Sequence, residues 1–274
     1  IIFNCDYSGY TFSYGHQSTA QMPALLERLL ADTRPLQEKH GPILSVRRDN
    51  ASVNVSKELM KILDQRGIRS ETSNPYEAWQ NGKPERMFQT VTSTASTVLL
   101  TSGLDGRFWL HAFQYAVRIH NIQYSRILKT SPYVTMHGVK PDVSDDQQFG
   151  VEACMYIRPE QRTDPKFSAR GEPCIFVGYP TNQQGFLVWC PGRGNNTVVS
   201  TTNVVFGTLC PRAKRPEIEL LPDTAKDVFL LPLPYVWRRC ALHMISVLWV
   251  PGKINLSKRR AATRRLWRWR SRGP

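Results

Sequence analysis

Two carboxylates, Asp49 and Glu85, stand in settings that suit metal chemistry, with 35 residues between them. The first lies in Val46-Arg47-Arg48-Asp49-Asn50, directly after an apolar run. The second lies in Gln80-Asn81-Gly82-Lys83-Pro84-Glu85-Arg86, directly before a helical pattern. Carboxylates delivered together by a strand end and a helix start are what two-metal phosphoryl transfer requires, because each can help hold a cation that activates a nucleophile or stabilises a leaving oxygen. Spacing alone decides nothing, since a chain with 22 acidic residues offers such a pair by accident. A first-turn Glu also has a purely structural use, complementing the helix dipole.

The elements expected around the pair are those of an α/β sheet. Residues 43 to 47 read as a short strand that presents Asp49 at its carboxyl end, where open α/β sheets place their chemistry. Leu59, Ile62 and Leu63 follow at helical spacing behind Ser56, a suitable cap, and Gly67 suits the turn that ends the helix. Residues 68 to 72 are the next strand, and strand, helix, strand implies a right-handed crossover. Upstream, residues 1 to 14 read as a hairpin around Ser8-Gly9, followed by a helix carrying Leu25, Leu26, Leu29 and Leu30 behind Pro23. Residues 73 to 84, rich in Asn, Pro and Gly, form a loop expected to sit over the site. Beyond it Met87, Val91, Ala95 and Val98 make an apolar helical stripe, with Glu85, Gln89, Thr92 and Ser96 expected on another face.

Trp109, Ala112, Phe113, Ala116 and Ile119 define a further amphipathic helix whose aromatics belong to the core. Pro132 and residues 138 to 146 mark a boundary. Short strands then follow at residues 153 to 157, 174 to 178, 186 to 190, 197 to 200 and 204 to 206, the pattern of a small barrel.

The motifs around the two carboxylates resemble those of copia-type retrotransposon integrases. Gln80-Asn81-Gly82 with Glu85-Arg86-Met87 and Thr90 is similar to the segment around that family's catalytic Glu, and Arg48-Asp49-Asn50 to the segment around its second catalytic Asp. Further matches run in order: Asp6-Tyr7-Ser8-Gly9-Tyr10-Thr11, Phe108-Trp109 with Ala112 and Ala116, Asn121, Gly138-Val139-Lys140-Pro141-Asp142, and Phe149-Gly150-Val151-Glu152-Ala153. Arg170, Cys174-Ile175-Phe176-Val177-Gly178-Tyr179 and Val204-Val205-Phe206 complete the series, so the resemblance covers residues 1 to 208.

That resemblance implies an α/β ribonuclease-H-like core over residues 1 to 137, a mixed sheet flanked by helices with its first strand missing. An Src-homology-3-like all-β barrel follows over residues 145 to 208, and a basic tail over 209 to 274. It implies DNA integration by polynucleotidyl transfer in the complete parent, with three carboxylates holding two magnesium or manganese ions. Asp49 and Glu85 are then catalytic and metal-binding, and the first Asp is expected on a strand before residue 1. Asp6 matches the family's Asp-Tyr-Ser motif in the following strand rather than the catalytic position. Asn81, Lys83, Arg86 and Gln89 are the expected nucleic-acid contacts. DNA is the implied partner, the parent is expected to be nuclear and oligomeric, and no membrane association is expected. Ala51 where the family usually has Gly, and Lys83-Pro84 in place of small apolar residues, depart from the pattern. Removing one of three carboxylates weakens a site that gathers two dications, so this chain is expected to lack strand transfer. The alternative is a noncatalytic, element-derived nucleic-acid-binding protein; a metal-dependent ribonuclease is a third.

Charge is unevenly placed. Of a net +14, residues 209 to 274 hold 15 Lys plus Arg against 4 Asp plus Glu, leaving 21 against 18 in residues 1 to 208. Trp267 and Trp269 interleave with arginines there, a composition that suits nucleic acid or an anionic surface, or equally a decayed read-through expected to be disordered. The six cysteines show no C-x-x-C pairing, which speaks against structural zinc. The apolar stretch from 228 to 250 is broken by Pro232, Pro234 and Arg238-Arg239, too short for a span of about 20 residues. With Ile1 in place of an initiator Met, the chain reads as a fragment.

Overall fold

A computed structural model describes residues 1–48, 57–72, 82–164, 166–181, 183–193, 197–207 and 244–249. Strand β1 (Ile2–Cys5) and strand β2 (Thr11–Ser13) form the expected antiparallel hairpin. Gly9 closes it at φ 68°, a left-handed conformation that a residue without a Cβ adopts at no steric cost. All four residues of β1 are buried, so its sequence is that of an interior strand rather than an edge.

Helix α1 (Met22–Asp32) starts with Pro23 in its first turn and buries Met22, Leu26, Leu29 and Leu30. Helix α2 (Arg34–His40) follows. Strand β3 (Ile43–Arg48), helix α3 (Lys57–Gln65) and strand β4 (Arg69–Thr72) make the crossover unit, and β3 pairs with β4 in parallel. Phe3, Leu26, Leu29, Val46, Leu59 and Leu63 share one core under this side of the sheet. On the other side, helix α4 (Gly82–Ser102) packs against helix α5 (Trp109–Ile122), where Met87, Val91, Ala95, Phe113, Ala116 and Val117 close around Ile2. Helix α6 (Pro132–His137) is capped by Ser131, whose Oγ accepts from the Val134 N–H at 3.2 Å, and ends at Gly138 in the left-handed region.

The second sheet is antiparallel throughout. Strands β5 (Glu152–Tyr156), β6 (Gly171–Gly178), β7 (Phe186–Trp189), β8 (Val198–Thr201) and β9 (Val204–Phe206) pair in the order β8-β7-β6-β5-β9. Each lies within a few residues of its place in the sequence reading. Leu99, Phe108 and Ala112 from the helices pack with Phe149, Ile175, Val177 and Trp189, so α4 and α5 join the second sheet through one apolar cluster. Gly150, at φ 80°, sits where a Cβ would meet Ser102 Cβ at 2.3 Å, so the end of α4 touches the backbone just before β5.

Of the tail, residues 244–249 are described and form strand β10 (Met244–Trp249), so the first sheet runs β2-β1-β10-β3-β4, while the disorder expected of the rest of 209–274 falls outside the described residues. The segment Met244-Ile245-Ser246-Val247-Leu248-Trp249 is short, apolar and followed by Pro251-Gly252, which is the composition of a buried strand as much as of a failed membrane span. The position between β1 and β3 is therefore filled from the far end of the chain. Thr92 and Ser96, expected on the outer face of α4, lie inward: Thr92 is buried and Ser96 half-buried, because the exposed face follows Glu85, Arg86, Gln89, Thr90, Ser93 and Thr97 instead. Among the described residues, no helix is long and apolar enough to cross a membrane.

Candidate nucleic-acid interface and metal site

Glu85, Arg86 and Gln89 are exposed on the first two turns of α4, while Met87, Val91 and Ala95 anchor the opposite face in the core. The helix spacing puts them together: residues three and four apart share a face. Beyond Arg86 the helix carries no charged residue. Its exposed side is hydroxyl-rich instead. Thr90, Thr94, Thr97 and Thr101 each donate to the carbonyl four residues back at 2.9 to 3.0 Å, which occupies their protons within the helix. Positive charge on this face is thus confined to the first turn. A cavity of about 800 Å³ opens beside it, walled by Arg86, Thr90, Asn4, His120, Tyr124 and Leu128. Burial pushes His120 below the usual histidine range, against the opposing effect of a backbone hydrogen bond to Gly9, so its ring is favoured in the neutral form.

Asp49 and Asn81 lie outside the described residues, and Lys83 is described only in its helical backbone. The strand that leads to Asp49 ends at Arg48, as the sequence reading requires. What reaches that end of the sheet is a basic residue the sequence reading passed over. Arg47 approaches Asp6 Oδ2 through Nη1 at 3.8 Å and donates through Nη2 to Glu71 Oε2 at 3.1 Å. It therefore ties the end of β1 to β4 across the sheet.

Arg47 and Glu71 are in register, and so are Ser246, Asn4 and Thr11 on the three strands beyond, giving a polar row across all five strands. A charged residue next to the end of an otherwise apolar strand was the available signal. Asp6 and Glu71 are engaged by a guanidinium, Glu85 is exposed, and among the described residues no three Asp, Glu, His or Cys side chains converge. The described carboxylates do not make up a two-cation site.

A second polar assembly lies where α5 meets the second sheet. A cavity of about 460 Å³ is walled by Tyr10, Tyr115, Tyr133, Tyr179 and Arg118 among others. The Arg118 guanidinium lies 4.3 Å from the centre of the Tyr179 ring and pairs with Asp146. Tyr115 donates through its hydroxyl to the Gln147 carbonyl at 2.8 Å, and the Gln147 N–H donates to the Tyr179 hydroxyl at 2.8 Å. Burial pushes the Tyr179 phenol up to about 12, so it remains a neutral partner. These contacts fasten α5 to residues 146–147 and to Tyr179, just past the end of β6.

Residues 152–215 match the family model of the retroviral polymerase SH3-like domain, opening at the first residue of β5 and running past β9. A retrovirus-related Pol polyprotein from transposon TNT 1-94 of Nicotiana tabacum is 30% identical over 162 residues, 59% of this chain. Over that stretch the chain is similar to part of a retrotransposon Pol polyprotein. It spans 12% of the length of that polyprotein. Among solved structures, a simian T-cell lymphotropic virus intasome in complex with PP2A regulatory subunit B56 gamma aligns with a TM-score of 0.40 and 14% identity, over 77% of this chain and 70% of that one. The catalytic core domain of HTLV-2 integrase, in complex with magnesium and trimeric, aligns with a TM-score of 0.38 and 16% identity, over 48% of this chain and 80% of that one. These two likenesses assign no residue a role here.

Proposed function

We propose that this Pol-like chain is part of a retrotransposon integrase of the copia type, a DNA-binding piece of a polynucleotidyl transferase that does not itself carry out strand transfer. In this reading residues 1 to 137 are the integrase core, 145 to 208 the SH3-like barrel and 209 to 274 a basic extension. The observation that carries it is the exposed group Glu85, Arg86 and Gln89 at the start of a helix whose other face is fixed in the core, in a chain 30% identical to a retrotransposon Pol polyprotein. DNA would lie along this first turn, with Lys83 and Arg86 on phosphates and Asn81 and Gln89 donating beside them. Asp49 and Glu85 are the carboxylates that would face magnesium or manganese in the complete parent, which would be nuclear and oligomeric.

The test is DNA binding by the full chain as a function of salt. Arg86→Gln is expected to weaken binding several-fold and to reduce the salt slope by about one, the signature of one lost phosphate contact. An unchanged affinity and slope would remove this face from the interface and favour the other reading, a noncatalytic nucleic-acid-binding protein that acts through its basic extension. Joining of element-end DNA with magnesium or manganese is expected to be absent; robust joining that disappears in Asp49→Asn would overturn the inactive assignment.

A further inference from the structure

We propose that the cavity beside the first turns of α4 receives one unpaired base of a bound DNA strand, stacked on Tyr124 with its pairing edge toward a polar floor of Asn4 and His120 and its phosphate at Arg86. It rests on the interface reading given for α4, because Arg86 belongs to both. The cavity measures about 800 Å³, within the range of small-molecule sites and large enough for a base with its sugar. It lies on the α4 and α5 side of the first sheet. Ile2 is packed among those two helices, and Asn4, two residues along β1, faces the same way.

Each part of a nucleotide finds a counterpart in the wall. An aromatic and apolar face stands open to solvent: Tyr124 is 62% and Ile127 93% exposed, with Leu128 beside them. They are held on a tight hairpin, where the Ser125 N–H donates to the Thr130 carbonyl at 2.9 Å and the Lys129 N–H to the Ser125 carbonyl at 2.9 Å. A ring fixed and exposed in this way is a stacking platform for any base. The floor lacks a donor. Asn4 is 3% exposed and donates through Nδ2 to the Gly9 carbonyl at 3.1 Å and to Thr11 Oγ1 at 3.0 Å, so its amide can point only one way. Its Oδ1 is buried and has no partner among the described residues. The pairing edge of every base carries the N–H it lacks, although solvent does not reach Oδ1 and a small movement of the floor must accompany the contact. Charge favours a phosphate at the mouth. Among the described residues that wall the cavity none is Asp or Glu and Arg86 is the one permanent charge, while Arg126 and Lys129 are exposed on the same hairpin. The cavity is also continuous with the turn along which DNA would lie, so a base leaving the stack there has a short path into it.

Binding of the full chain to two DNAs decides it: a short duplex with one bulged thymidine, and the same duplex with that base removed to leave an abasic bulge. The basic extension meets the same phosphates in both, so its contribution cancels from the ratio. The thymine is expected to tighten binding about 5-fold or more, the scale of one base–aromatic stack. Tyr124→Ala should abolish that advantage and leave the abasic affinity as it was, whereas Tyr124→Phe, which keeps the ring, should preserve it. The exposure of Tyr124 spares the fold in both variants. Equal affinity of the unaltered chain for the two DNAs overturns the proposal, as does a Tyr124→Ala loss of the same size on both. Arg86→Gln separates this outcome from the interface reading. A loss on both DNAs without any thymine preference leaves the interface standing and removes the base site; no loss on either removes the interface and the base site with it.

Discussion

Asn121 holds the β1–β2 hairpin against α5 through both ends of its amide. Its Oδ1 accepts from the Thr11 N–H at 2.8 Å and its Nδ2 donates to the Thr11 carbonyl at 2.8 Å. Asn121→Ala leaves two buried peptide groups without partners, and a loss of about 2–3 kcal/mol is expected from the urea midpoint. The sequence singled out Asn121 but not its purpose, since Thr11 is 110 residues away and no local pattern links them. Arg47 escaped for a similar reason: its partners Asp6 and Glu71 come from other strands. Histidines set the acid response. Burial holds His111, His120 and His137 below their ordinary value of 6.5, with Lys39 and His40 adding to the effect at His137. The unfolded chain therefore binds protons that the folded chain refuses, so stability is full above that value and declines as pH falls through and below it. Denaturation midpoints at pH 7.5 and 5.5 check this, with the lower midpoint expected at pH 5.5.

At the scale of elements, α4 determines what the candidate interface can do. Ala95 is fully buried where this helix meets α5, and Ala116 on the facing helix is nearly so. Small side chains there allow close approach. Ala95→Leu should overpack the contact and cost about 1–3 kcal/mol, read as a lower thermal midpoint, and it should disturb DNA binding by tilting the turn that carries Arg86. The helix itself was legible from its 3.6-residue period, as were α1, α3, α5, strands β1 to β4 and the strands of the second sheet. Its outer face was misjudged because Thr92 and Ser96 are polar by type but lie inward. β10 was equally present in the sequence as an apolar run, but strand pairing between residues 2–5 and 244–247 has no local signature. The metal question rested on Asp49, which the motif marked and which falls outside the described residues.

At the scale of the whole molecule, α4 and α5 are joined to the second sheet by Leu99, Phe108 and Ala112 packing on Ile175, Val177 and Trp189. Trp189 is 5% exposed and lies under the Arg107 guanidinium, 5.3 Å from its ring centre. Trp189→Ala is expected to cost about 3–5 kcal/mol. Because the cluster joins α4 and α5 to the second sheet, helix circular dichroism and tyrosine fluorescence should shift together; separate transitions would show that the two parts fold independently. The topology also bears on synthesis. The ribosome makes β1 and β3 long before the strand that lies between them, and 195 residues separate Arg48 from Met244. At about 5–20 residues per second, the nascent chain carries two interior strands, each with one edge unpaired, for roughly 10–40 seconds. During that interval it is exposed to capture by chaperones or by other nascent chains on the same messenger, and yield in translation is expected to depend on them more than the fold of the finished protein would suggest.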